Sequence, residues 1–184
     1  MTKKLLFVLL IILLSIQQIC FATEWKFCHA KNYNVHYSLP VSFTEFYPNI
    51  PFSEFAAIDR NTNFSSQLMI VDPTRDPKFS QYKLPKSFSS MSPNELDRYT
   101  QNMLNGIRRH GYDFKDMLID VNGRTCFFIG YYLDKNYVKY EALQFIFLEN
   151  YKTISLQFVF PANASDSFVD ISFAAANSLY LDYI

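Results

Sequence analysis

Along the chain, polar and apolar positions change period several times, and each change marks an element. Leu96, Tyr99, Met103 and Ile107 recur at spacings of three and four, which predicts an amphipathic helix over residues 93–110. Ser92 stands at the capping position, Pro93 at the first helical position and Glu95 three residues after Ser92, while Gly111 is placed to end the helix. The period then falls to two. Met117, Ile119 and Val121 alternate with polar neighbours, and Asn122-Gly123 predicts a two-residue hairpin turn into a strand over 124–133. Turns at 134–136 and 149–151 lead into strands over 137–148 and 152–160, the last carrying Ile154, Leu156, Phe158 and Phe160 on one face. These four segments form an antiparallel meander.

Upstream, Tyr33, Val35, Tyr37 and Leu39 alternate as a strand, and 55–60 with 65–72 reads as a hairpin around Asn61-Thr62-Asn63. Residues 73–91, with Pro73, Pro77, Pro85 and many serines, form a long irregular connection. A second helix starts near Ser165 or Asp166 and places Val169, Phe173, Ala176 and Tyr180 on one side. The order is strand, hairpin, long loop, helix, four-strand meander, helix.

The N-terminal pattern differs in kind. Lys3 and Lys4 precede an unbroken apolar run over 5–14, and Cys20-Phe21-Ala22 closes it with a small residue, the layout of a cleaved export signal over residues 1–22. The run is about half the roughly twenty residues needed to span a bilayer core, so no stable span is expected after cleavage. Ile19 stands where a lipoprotein signal calls for a small residue, which argues against a lipid on Cys20. The remaining 23–184 fits one domain, exported to the periplasm or outside the cell.

Composition narrows the function classes. Without Lys3 and Lys4, fifteen basic residues face seventeen acidic ones, and no basic stripe is present to displace counterions from a phosphate backbone, so nucleic acid is not an expected partner. Four glycines argue against phosphate-cradling loops, and nineteen Phe with thirteen Tyr predict a core built from rings. No Gly-x-Ser-x-Gly elbow occurs, and neither Cys28 nor Cys126 lies in a recognisable nucleophile motif. His29 and His36 are seven apart, which would put them on opposite faces of a continuous strand. Asp113, Asp116 and Asp120 read as a solvated strand face rather than a calcium site. No catalytic residue, metal site or cofactor is therefore expected.

Cys28 and Cys126 either form a disulfide, as an oxidising compartment permits, or are two buried small hydrophobes. Two segments are candidate binding surfaces. Asp72, Arg75 and Asp76 lie in the long loop, where exposed charges often meet partners, although the same residues also suit a self-capped turn. Tyr131, Tyr132, Tyr137 and Tyr140 gather around one hairpin, and tyrosine covers interfaces at low entropic cost.

The whole pattern resembles the Mog1/PsbP-like family. The resemblance is carried by Tyr37-Ser38-Leu39-Pro40 leaving the first strand, the capped Ser92-Pro93-Asn94-Glu95 helix, Asn122-Gly123-Arg124 opening a hairpin, the paired aromatic strands from Tyr131-Tyr132 to Phe147, and the terminal helix after Phe160-Pro161. It implies an α+β fold, an α/β/α sandwich around a single antiparallel sheet of about six to seven strands. It also implies a binding or assembly protein without a shared catalytic centre, working by contact with a protein of the cell envelope or outside the cell. A carrier of a lipid or other apolar ligand is the alternative, and a hydrolase with an unrecognised site a weaker one.

Overall fold

The computed structural model describes residues 24–75, 83–109, 111–164 and 166–181. The predicted export signal, Asp76, His110 and Ser165 lie outside the described residues. The described chain runs β1 (Trp25–His29), β2 (Val35–Pro40), β3 (Thr44–Phe46), β4 (Ser53–Asp59) and β5 (Phe64–Val71), then a single 3-10 turn (Phe88–Ser90) and helix α1 (Pro93–Ile107). It continues with β6 (Tyr112–Val121), β7 (Arg124–Lys135), β8 (Val138–Glu149), β9 (Lys152–Pro161), helix α2 (Ser167–Asn177) and β10 (Tyr180–Leu181).

Seven strands form one antiparallel sheet in the order β3-β4-β5-β9-β8-β7-β6. Alternation along β7 shows how it is sandwiched. Cys126 and Phe128 point into a core with α2, while Phe127, Ile129 and Tyr131 point the other way, into a second core under α1. The predicted helix stripe of Leu96, Tyr99, Met103 and Ile107 packs on that second core, and Leu104 is buried within it. The Glu95 carboxylate accepts from both the Ser92 N–H (2.9 Å) and its hydroxyl (2.7 Å), which fixes the start of α1.

Membership of the sheet differs from the expectation in one exchange. β2, the predicted first strand, joins β1 and β10 in a separate three-stranded sheet, and β3 takes the edge position of the main one. Val35, Tyr37 and Leu39 face the core shared with α2, and the Tyr37 hydroxyl lies 2.9 Å from Ser66 Oγ, so β2 packs over the large sheet instead of extending it. α2 ends at Asn177, and Tyr180 leaves it to pair with His36 as part of β10. Three exposed residues make up β3, which is too few to show a period.

Gly111 has a different role from the one its position suggests. The helix closes through the Arg108 N–H bonded to the Leu104 carbonyl (2.8 Å), and a Cβ on Gly111 would stand 2.3 Å from the Tyr132 carbonyl oxygen. The Gly111 N–H does bond the Ile107 carbonyl at the helix end (3.0 Å), but it is the close backbone approach to β7 that requires glycine there.

The meander turns are alike. Asn122-Gly123 (φ 52° and 77°), Asn136-Tyr137 (51° and 64°) and Asn150-Tyr151 (47° and 63°) each place two residues in the left-handed region, as a two-residue type I′ hairpin demands. Only the first has glycine at the second position. Tyr137 and Tyr151 hold a conformation that disfavours a Cβ, and both are exposed.

Candidate functional site

Asp72 follows β5 and is 5% exposed. Its Oδ1 accepts from the Thr74 N–H (3.0 Å) and hydroxyl (2.6 Å), and its Oδ2 from the Tyr33 hydroxyl (3.4 Å), with Arg75 and Lys152 each at 3.9 Å. The Arg75 guanidinium lies 4.4 Å above the Tyr33 ring and donates to the Asn32 carbonyl (3.0 Å). The loop is thus a self-capped turn that ties the end of β5 to residues 32–33. Burial alone would raise the Asp72 pKa, but the Thr74 hydroxyl and N–H, Lys152 and Tyr33 outweigh it and hold the carboxyl below its ordinary value.

The stabilisation from Asp72 is therefore complete above an unfolded-state pKa of about 3.9 and is lost as pH falls through the lower folded value. Asp72→Asn is expected to cost about 1–3 kcal/mol at neutral pH. It should also flatten the acid limb of a stability profile measured by urea denaturation.

The four hairpin tyrosines separate. Tyr131 is 5% exposed beneath α1, and its hydroxyl accepts from Gln157 Nε2. Tyr140 is half-buried on the same sheet face, beside a groove described below. Tyr132 points to the opposite face, and Tyr137 stands at the hairpin tip, fully exposed.

Tyr132 belongs to a cluster that the sequence reading missed because it began β6 at Met117. The Phe114 ring lies 4.6 Å and the Tyr112 ring 5.4 Å from that of Tyr132. The Lys139 ammonium sits 3.8 Å above Tyr132 and 5.3 Å from Tyr112, and its hydrogen bond to the Tyr112 hydroxyl raises its pKa. Gly130 makes this possible, since a Cβ there would stand 2.6 Å from the Phe114 ring. Tyr112 and Phe114 are 47% and 44% exposed. They lie on β6, the edge strand, which also exposes Met117 and Leu118. A bidentate pair from Arg108 to Asp113 (2.7 and 2.9 Å) anchors the start of this edge to the end of α1 and lowers the Asp113 pKa.

On the α1 face, Gln67, Gln157 and Gln144 stand directly opposite one another on β5, β9 and β8. Gln144 donates to Ser155 Oγ (2.8 Å) and Gln157 to Tyr131, whereas the buried Gln67 Nε2 has no hydrogen-bond partner among the described residues. Beside this row runs a groove of about 420 Å³ lined by Phe46, Ile58, Val159, Leu133, Tyr140 and Lys135. It is open and of mixed polarity, not a deep apolar cavity. The glutamines escaped sequence reading because only strand register brings them into line.

Cys28 and Cys126 are free in the structure, so the disulfide considered from compartment is absent. Cys28 lies opposite Tyr37 in the small sheet and Cys126 between Ile119 and Phe147 in the large one. Burial pushes their pKa values up to about 11 and about 12, the opposite of what a nucleophile needs. Neither thiol is expected to react with a thiol reagent at pH 8 in the native chain. Both should titrate on unfolding without reductant, whereas a bridge would release none.

No family model and no curated protein matches the chain. Among solved structures, the cyanobacterial PsbP (CyanoP) of Synechocystis sp. PCC 6803 superposes with a TM-score of 0.60 at 11% identity, over 89% of this chain and 97% of that one. LpqN of Mycobacterium tuberculosis, described as involved in cell envelope biogenesis, gives a TM-score of 0.47 at 10% identity over 85% and 89%. A Bacteroides thetaiotaomicron protein gives 0.49 at 10% identity, over 80% of this chain and 45% of that one. Identities this low speak for the fold alone, and the fold is PsbP-like, as the order of elements led us to expect.

Proposed function

We propose that this chain is an exported, non-enzymatic binding or assembly protein of the Mog1/PsbP-like type, acting by protein–protein contact in the periplasm or outside the cell. The observation that carries the proposal is the β6 edge. It is a ten-residue strand at the border of the large sheet, with Tyr112, Phe114, Met117 and Leu118 exposed along it. A long edge with exposed apolar side chains invites pairing with another chain, and aromatic residues are the usual anchors of such contacts. Tyr137, fully exposed at the tip of the β7–β8 hairpin, adds a further ring at the end of the sheet where β6 begins.

Export rests on the basic start and apolar run of residues 3–14. Among the described residues no helix is long and apolar enough to cross a membrane.

The groove beside Gln67 favours a second reading, a carrier whose ligand offers an acceptor to the Gln67 amide and an apolar body to Ile58, Val159 and Phe46. Affinity capture of residues 23–184 from the source organism's envelope fraction, with mass spectrometry of proteins and lipids, separates the two. A saturable protein partner supports the proposal. Stoichiometric lipid without protein would replace it with the carrier.

A further inference from the structure

We propose that His29 and His36 form a two-imidazole chelating site for a transition-metal dication of the zinc, nickel or copper type. Their separation of seven residues hides this in the sequence, because the chain turns between them. The Ala30 N–H donates to the Val35 carbonyl (2.8 Å), and His29 then lies directly opposite His36 in the β1–β2 ladder. Residues directly opposite on antiparallel strands project to one face. Here that is the outer face of the small sheet, since the neighbouring Cys28 and Tyr37 point into the core.

The distances suit one shared ion. The two ring centres are 5.4 Å apart with 47° between their planes. A metal–imidazole nitrogen bond is about 2.0–2.1 Å, so two imidazoles on one ion have ring centres roughly 5 Å apart. A small rotation of the exposed His29 closes that difference. His36 is the fixed arm: Tyr180 of β10 stacks on it at 4.7 Å and Phe27 meets it edge-on at 5.9 Å.

Imidazole pairs favour zinc, nickel and copper over magnesium or calcium, which take oxygen donors. Among the described residues no group of three or more His, Cys, Asp or Glu side chains is placed to hold an ion. Among the described residues the remaining coordination positions are left to water or to a donor on another molecule, the arrangement of an exchangeable surface site and not of a closed structural one. An ion there would also pin β1, which among the described residues pairs with β2 alone, to the rest of the small sheet.

The test is calorimetric titration of the purified chain, carrying no polyhistidine tag, with zinc chloride and nickel chloride in a non-coordinating buffer. One ion per chain should bind, and saturating zinc should raise the melting temperature by mass action. His29→Gln and His36→Gln should each weaken binding at least about tenfold, since a single imidazole cannot chelate. His29 is exposed, so H29Q should leave the melting temperature of the metal-free chain unchanged. Absence of saturable binding up to millimolar metal, or undiminished affinity in both variants, overturns the proposal.

Discussion

Replacing Phe64 by alanine is expected to lower the unfolding free energy by about 3–5 kcal/mol, the usual cost of deleting a buried ring. Phe64 is 1% exposed and opens β5 at a point where three parts of the fold meet. Its ring lies 5.1 Å from Phe43 in the β2–β3 connection, 4.7 Å from Phe168 of α2, and 5.3 and 6.1 Å from Phe160 and Phe158 of β9. Truncation leaves a cavity lined by rings that pack on one another and relax only partly, and each lost pair removes a further edge or offset contact. Against a total of about 5–15 kcal/mol, this is a large share. Phe64→Leu, which keeps most of the volume, should cost markedly less. Urea denaturation followed by fluorescence, with the midpoint falling at an unchanged slope, is the check.

The second large effect concerns the partner. Tyr112→Ala and Phe114→Ala should each weaken binding by at least about thirtyfold, or about 2 kcal/mol, as hot-spot aromatics do. The fold should barely respond, because both side chains are substantially exposed. Tyr137→Gly should separate stability from function more sharply. Glycine relieves the left-handed conformation, as it does at Gly123 in the equivalent turn, and is expected to stabilise the chain by about 1 kcal/mol. It also removes the exposed ring, so the partner should bind more weakly to a more stable protein. Melting temperature and partner affinity measured on the same sample read both effects.

What the sequence disclosed follows from the range of the interactions involved. The α1 cap and stripe, the Asn122-Gly123 turn and the alternation of β7, β8 and β9 depend on neighbours within a few residues, and all appear where the periodicity places them. Long-range placement was not legible. Val35, Tyr37 and Leu39 of β2 are buried against the large sheet, and the Tyr37 hydroxyl meets Ser66, twenty-nine residues away, once they are. Tyr180 was assigned to a helix by its spacing from Ala176, yet pairing with His36 draws it into β10. The PsbP-like order of elements carried the architecture, but it could not say which strand sits at which edge.

The candidate surfaces followed the same division. Asp72 and Arg75 are local, and the self-capped turn open to them in the sequence is what forms. The tyrosines near the β7–β8 hairpin were grouped by sequence proximity alone. Period two sends Tyr131 and Tyr132 to opposite faces, and it is Tyr112 and Phe114 from the neighbouring strand that join Tyr132. The glutamine row and the histidine pair likewise need strand register, which periodicity leaves undetermined.

The central claim is that the β6 edge and the adjoining hairpin tip meet a protein. The most direct measurement places a photo-crosslinking phenylalanine analogue at Phe114 or Tyr137, with Tyr151 at the opposite end of β8 as the control, and irradiates cells exporting each variant. A single protein adduct from positions 114 and 137, absent from 151, is the predicted result. No protein adduct from either position, or the same adduct from all three, would contradict it.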